Sequence, residues 1–196
     1  MQSTRDALMH ALNRPPRRVD YAGARHASVA ALFTPDLDLV LIRRADRVGD
    51  PWSGHLSLPG GRMEPVAASP LHAAVRETHE ELGVELHHAH LLGELDELPT
   101  MSPLPPLVVR SFVFTLPEHP TFRPNHEVAQ THLIGLEALL RGEGRGEMRL
   151  KWGAHTYQMP CVDFDGVRLW GLTLHVIDDL LHRVDGRGMG LERPKV

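Results

Sequence analysis

Cysteine is nearly missing from this chain: Cys161 is the one thiol among 196 residues. A single cysteine closes no internal disulfide and is too few for a cysteine-based zinc site. Such sparing use fits a reducing, cytoplasmic setting. Aromatic residues make up only 5% of the chain. No run approaches the roughly 18–20 apolar residues of a membrane span. Arg5, Asp6 and Asn13 interrupt the N-terminus before any apolar core of signal-peptide length can form. An excess of positive charge is missing too. Lys and Arg number 21 against 25 Asp and Glu, a net charge of −4, whereas a broad nucleic-acid footprint needs clustered surplus cations. The expectation is therefore no nucleic-acid partner and no membrane. What remains has ordinary globular composition, 42% hydrophobic and 23% charged, at a length suited to one domain with terminal extensions.

The punctuation of the chain supports that organisation. Residues 3–13 predict a short helix opened by Ser3 or Thr4 and closed by Pro15-Pro16, an appendage within residues 1–24. Strands are expected at His26–Phe33 and Leu37–Ile42 around a Thr34-Pro35-Asp36 turn, then at Leu56–Leu58, Leu91–Leu95, Leu107–Leu116, Glu127–Ile134 and Tyr157–Val162. Leu136–Arg141 predicts a short helix, Gly142–Gly146 a charged break, and Leu172–Val184 an amphipathic helix with Thr173 as its cap. The main domain is placed at 25–184, with residues 185–196 as a flexible tail. Mixed strands with few helices predict an α+β fold.

One helix carries the chemistry. Ser69 suits an N-cap, Pro70 the first helical position and Gly83 the left-handed residue beyond the end, giving a helix over 70–82. At 100° per residue, Leu71, Val75, Thr78 and Leu82 form the expected packed stripe, while Glu77, Glu80 and Glu81 share another face. Glu77 and Glu81 are neighbours at i,i+4, and like charges at that spacing cost about 0.2–0.5 kcal/mol. Glu80 and Glu81 also oppose the helix dipole by roughly 0.3–1 kcal/mol. A divalent cation reverses the sign of both effects, and carboxylate oxygens are the ligands that Mg²⁺ prefers. On the helix alone, a solvated acidic face is the simpler reading of the pattern. The preceding Gly60-Gly61, which permits close backbone approach, changes that balance. Seven positions, Gly60, Gly61, Arg76, Glu77, Glu80, Glu81 and Gly83, match by chance on the order of once in a million.

At these residues the chain resembles the signature of the Nudix hydrolases, a Gly and a spaced Glu followed by Arg-Glu-x-x-Glu-Glu-x-Gly-aliphatic, here GGRMEPVAASPLHAAVRETHEELGV over 60–84. The resemblance implies an α/β/α sandwich around a mixed β-sheet. It also implies hydrolysis of a diphosphate linked to another moiety, with Mg²⁺ or Mn²⁺ as cofactor. It assigns Glu77, Glu80, Glu81 and the Gly60 carbonyl to the metal, and Arg76 to orienting a neighbouring carboxylate. The general base is left between Glu77 and Glu127; a strand-start position like that of Glu127 is often acidic in the family. Two departures stand out: Ala68 occupies the place of the signature's first Glu, with Glu64 too early to replace it, and the interval from Gly61 to Arg76 is one residue longer than the usual one. An altered loop rather than lost activity is expected from them. The longer loop and the stretch LVLIRRADRVGDPWSGHLSLPGG resemble the coenzyme A pyrophosphatase branch, although Trp52 stands where that branch has His and Leu58 where it has Phe.

Arg43 and Arg44 are candidate phosphate contacts, because guanidinium groups bind phosphate bidentately; with Gly60 and Gly61 they form the expected substrate set. His87, His88 and His90 lack metal-ligand spacing and predict a surface loop. Glu94, Asp96 and Glu97 read as a solvated loop with a lesser claim to assist a metal, and Cys161 as a packed strand residue. The partner implied is a small-molecule diphosphate, with a homodimer left open. Coenzyme A or an acyl derivative leads, cleaved to 3′,5′-ADP and (acyl)phosphopantetheine. A nucleoside triphosphate, ADP-ribose or a nucleotide sugar is the alternative substrate, and a catalytically silent nucleotide-binding module the alternative class.

Overall fold

The computed structural model describes residues 2–63, 69–100, 106–153, 155–164 and 166–185. In chain order its elements are α1 (Gln2–Ala11), β1 (Arg25–Phe33), β2 (Asp38–Arg44), β3 (Leu56–Ser57), β4 (Gly60–Arg62), α2 (Pro70–Leu82), β5 (Leu91–Glu94), β6 (Leu98–Pro99), β7 (Leu107–Thr115), β8 (Val128–Gly135), α3 (Leu136–Arg141), β9 (Arg145–Trp152), β10 (His155–Phe164), β11 (Val167–Trp170) and α4 (Gly171–Asp185). A single 3-10 turn covers His88–His90.

Strands β1 and β7 form the spine, parallel and paired over nine residues from Arg25↔Leu107 to Phe33↔Thr115. Parallel neighbours need both faces covered, and alternate side chains then serve opposite cores. Ala30, Leu32, Phe112 and Phe114 point to a core shared with Ala74 and Leu82 of α2. Ala31, Phe33 and Val113 point the other way, onto Leu8 of α1 and Leu12 just beyond it, Leu136 and Leu139 of α3, and Leu174, Ile177 and Leu181 of α4. The architecture is thus α+β, with helices on both faces of a mixed sheet. The remaining pairings are antiparallel: β2 with β1, β3 and β8; β4 with β1; β5 and β6 with β7. A second antiparallel sheet is ordered β11-β10-β9. On the side of β1 away from β7, β2 meets it at Phe33↔Leu39 and β4 at Ala27–Val29. That arrangement lays Gly60 beside Val29, close under α2. Among the described residues, no helix is long and apolar enough to cross a membrane.

Several expectations need correction. Leu37 does not begin a strand: it is a buried turn residue at φ 63°, its N–H donating to the Thr34 carbonyl at 2.9 Å. The expected break at Gly142–Gly146 is short, and β9 starts at Arg145. Polar and apolar residues alternate along Glu147-Met148-Arg149-Leu150-Lys151, but Gly142, Gly144 and Gly146 read as a turn and obscure the start of the strand. Strands β4 and β11 were not expected either. Thr173 lies within the first turn of α4 rather than ahead of it. The expected stripe on α2 is rotated. Ala73, Ala74, Thr78 and Leu82 are buried together with Glu81, while Leu71 and Val75 are only partly covered. Small side chains let the helix approach β1 and β4 closely, and the face that closes on them includes a glutamate. Ser3 lies inside α1 rather than capping it, and α1 is packed, with Leu8 fully buried. Glu64, Ala68, the stretch 101–105 and the tail 186–196 lie outside the described residues.

Candidate active site

Helix α2 is started and stopped by the residues that the sequence offered. The Ser69 hydroxyl accepts the His72 N–H at 3.1 Å, Pro70 leads the first turn, and Gly83 ends the helix at φ 67° with its N–H on the His79 carbonyl at 2.8 Å. These caps fix where the acidic residues stand. Glu81 is 3% exposed, one carboxylate oxygen accepting the Gly60 N–H at 2.8 Å. Glu77 is half-buried and accepts from Arg76 Nη2 at 2.6 Å. Glu80 points to solvent, both oxygens held by Arg76 Nη1 at 2.9 and 2.8 Å. Arg76 therefore bridges Glu77 and Glu80, and Glu80 stands apart from the inward pair. Among the described residues no three His, Cys, Asp or Glu groups are gathered closely enough to hold an ion.

The two glycines are required by close approach. Gly60 has φ 146°, and a Cβ there would lie 2.3 Å from the Ser28 carbonyl oxygen. At Gly61 a Cβ would lie 2.5 Å from the carboxyl carbon of Glu77. The backbone of β4 is thus pressed against Glu77 and Glu81 at once. No side chain fits between.

Burial dominates the electrostatics of this pair. It pushes the Glu81 carboxyl up to about 8, with the Gly60 N–H pulling the other way, Glu77 adding to the rise and Arg44 opposing it. Burial also raises Glu77 against the opposing pull of Arg76, and Glu80 and Glu127 push it further. A buried carboxylate without a matching cation is costly. The donor set of hard oxygens at Glu77 and Glu81, beside backbone that no Cβ obstructs, fits a small divalent cation.

Glu127 sits just before β8 and acts electrostatically on both Glu77 and Glu81. The strand order, β8 on β2, brings it there. The two candidate arginines separate. Arg44 acts on Glu81, its Nη2 donates to Asp50 at 2.6 Å, and its buried Nε has no hydrogen-bond partner among the described residues. Arg43 lies instead near Gly54 and His132. Asp50, which fixes Arg44, was not foreseen; its place in a Gly- and Pro-containing loop gave no signal.

The second acidic group is neither solvated nor metal-like. Asp96 and Glu97 are buried. Arg17, Arg14 and Arg183 surround Asp96 at 2.8, 3.3 and 2.6 Å, and Glu97 accepts the Val19 N–H at 2.7 Å and pairs with Arg110 and Arg18. His87 and His88 are exposed around the 3-10 turn, and Cys161 is buried in β10.

Comparison with known proteins agrees with this geometry. The family model of the NUDIX domain matches residues 24–151. Human mitochondrial coenzyme A diphosphatase NUDT8 is 33% identical over 138 residues, 69% of this chain and 58% of that protein. An uncharacterized Schizosaccharomyces pombe protein is 44% identical over 90 residues, 43% of this chain and 27% of its own. The chain thus spans little more than half, or less, of these two relatives. A MutT/nudix family protein from Enterococcus faecalis shares the fold at a TM-score of 0.52 and 18% identity, covering 87% of this chain and 58% of that one. With the domain match extending over most of its length, this chain belongs to the Nudix hydrolase family.

Proposed function

We propose that the chain hydrolyses a diphosphate linkage in a nucleotide derivative, in the presence of Mg²⁺ or Mn²⁺, and that coenzyme A or an acyl-coenzyme A is the substrate. The observation that carries the reading is Glu81: a carboxylate 3% exposed and pushed up to about 8, accepting the Gly60 N–H and, among the described residues, in no ion pair although Arg44 acts on it from a distance. Glu77 and Glu81 would hold the ion, with the Gly60 carbonyl beside them. Glu80 would join only by releasing Arg76. When bound, such an ion offsets charge on phosphoryl oxygens and makes water more acidic.

The chain's own residues do the rest. Arg76 fixes the Glu77 carboxylate by its 2.6 Å bond. The guanidinium of Arg44, which acts on Glu81 and is partly exposed, would offer its charge to a phosphate oxygen on that side. Glu77 and Glu127 are the carboxylates that would be available to take a proton from water. Arg43, on its separate side, would meet a more distant part of the substrate. The name of the human relative supports coenzyme A, as does the resemblance of the loop before Gly60.

A substrate panel with Mg²⁺ and with Mn²⁺, products resolved by mass, tests this. Coenzyme A should yield 3′,5′-ADP and 4′-phosphopantetheine. Inertness toward coenzyme A with cleavage of ADP-ribose or a nucleoside triphosphate overturns the substrate. Inertness toward all of them overturns the hydrolase reading in favour of a nucleotide-binding module.

A further inference from the structure

The loop between β2 and β3, which carries Asp50, also presents an aromatic group. Trp52 is 46% exposed, yet its ring is backed by His55 at 5.7 Å between centroids and by Trp170 at 6.2 Å, while His55 and Trp170 lie 4.9 Å apart. Two separate elements build the group: the 45–55 loop and the junction of β11 with α4. Its position is tied to the site through one carboxylate. Asp50 accepts from Trp52 N–H at 3.0 Å and from Arg44 Nη2 at 2.6 Å, and Arg44 is the guanidinium that acts on Glu81. The Arg44 N–H on the His55 carbonyl (3.0 Å) and the Gly54 N–H on the Arg44 carbonyl (3.1 Å) brace the loop.

We propose that Trp52, supported by His55 and Trp170, is the stacking platform for the nucleobase of the diphosphate substrate; this rests on the hydrolase reading above. A tryptophan used only for packing gains most by full burial, whereas this one keeps nearly half its surface in water on a braced loop. Two cations lie at this loop, Arg44 on Asp50 at 2.6 Å and the largely exposed Arg47 on Glu127 at 3.9 Å, and by exchanging those partners they would favour an anion attached to whatever stacks there. A nucleotide is both. His55, its pKa lowered by burial, stays neutral near pH 7 and adds no charge beneath the platform.

Stacking on an aromatic side chain is worth about a tenfold to hundredfold gain in affinity per base. Calorimetry with ADP and with inorganic diphosphate, each with Mg²⁺, isolates the base. Trp52→Leu should weaken ADP about tenfold or more and leave diphosphate unchanged, while Trp52→Phe keeps most of the ADP affinity. Equal weakening of both ligands by Trp52→Leu, or ADP binding indifferent to it, overturns the platform. Hydrolysis is read separately. Trp52-dependent ADP binding in a chain that cleaves no diphosphate would sustain the platform and sink the enzyme, and cleavage with indifferent ADP binding would do the reverse.

Discussion

Two acidic triplets of similar composition meet opposite fates in this molecule. Glu94, Asp96 and Glu97 lie among Arg14, Arg17, Arg18, Arg110 and Arg183. Burial alone would raise Asp96, but the Arg17 N–H and guanidinium with the charges of Arg183 and Arg14 hold it down at about 2. Glu77, Glu80 and Glu81 have Arg76 between two of them and Arg44 near the third, and there burial wins, taking Glu81 to about 8. One triplet is neutralised by its own chain. The other keeps a charge deficit that a ligand can fill, and in a folded chain that deficit distinguishes a site from a brace.

The largest effect is expected from breaking the brace. Asp96→Ala leaves Arg183, 2% exposed, beside a cavity with one carboxylate fewer, and removing one partner of a buried ion pair costs ~3–5 kcal/mol. Chemical denaturation should register that loss. The sign with pH follows from the lowered pKa: Asp96 supports the fold above its ordinary value near 4 and ceases to as pH falls toward about 2. The variant should lack that acid-limb loss. An Asp96→Ala protein as stable as the parent would mean that the arginines neutralise nothing of consequence, and the contrast with α2 would vanish.

Glu81→Gln should invert the pattern. Turnover is expected to fall by about 10²–10³, as when a charge-stabilising group is removed from an active site, without a comparable loss of stability. For a carboxyl whose pKa is raised, the contribution to the metal-free fold is present below about 4.5 and lost as pH rises through about 8. The melting temperature of the metal-free parent should therefore decline over that interval, and Glu81→Gln should flatten the decline. A variant that keeps its rate, or a parent whose melting is level across those pH values, would make Glu81 an ordinary buried acid.

How legible the two regions were follows from the range of the forces that made them. Helix α2 was readable to the residue because Ser69, Pro70 and Gly83 act within one turn of where they stand. The periodicity also gave the Glu77–Glu81 pair. It could not show that Glu81 turns inward, since that depends on Gly60, 21 residues earlier. The Asp96 brace was misread as solvated because its partners lie 79, 82 and 87 residues away, beyond any local pattern. The same reason hid the approach of Glu127, which rests on β8 lying against β2, whereas the split of Arg43 from Arg44 follows from strand alternation and was open to a local reading. Strand β9 escaped although Glu147-Met148-Arg149-Leu150-Lys151 alternates, because Gly142, Gly144 and Gly146 read as a turn and hid where it begins.

The smallest effect separates the helix as a scaffold from the carboxylates it presents. Ser69→Ala removes the acceptor of the His72 N–H and should cost about 1 kcal/mol of stability. The damage should stay in the first turn, because Glu77 and Glu81 are anchored further along by Thr78, whose hydroxyl bonds the Ala74 carbonyl at 2.8 Å, and by the Gly60 N–H on Glu81. Turnover per folded molecule should then hold within about twofold, because losing about 1 kcal/mol at a cap leaves the packed face of α2 in place. A rate falling tenfold with the helix still formed would show that the start of α2, rather than its buried face, sets the carboxylates. The inward pair would then owe its geometry to the loop that feeds the helix, and the tight fit of Gly61 on Glu77 would be a consequence of that entry rather than its cause.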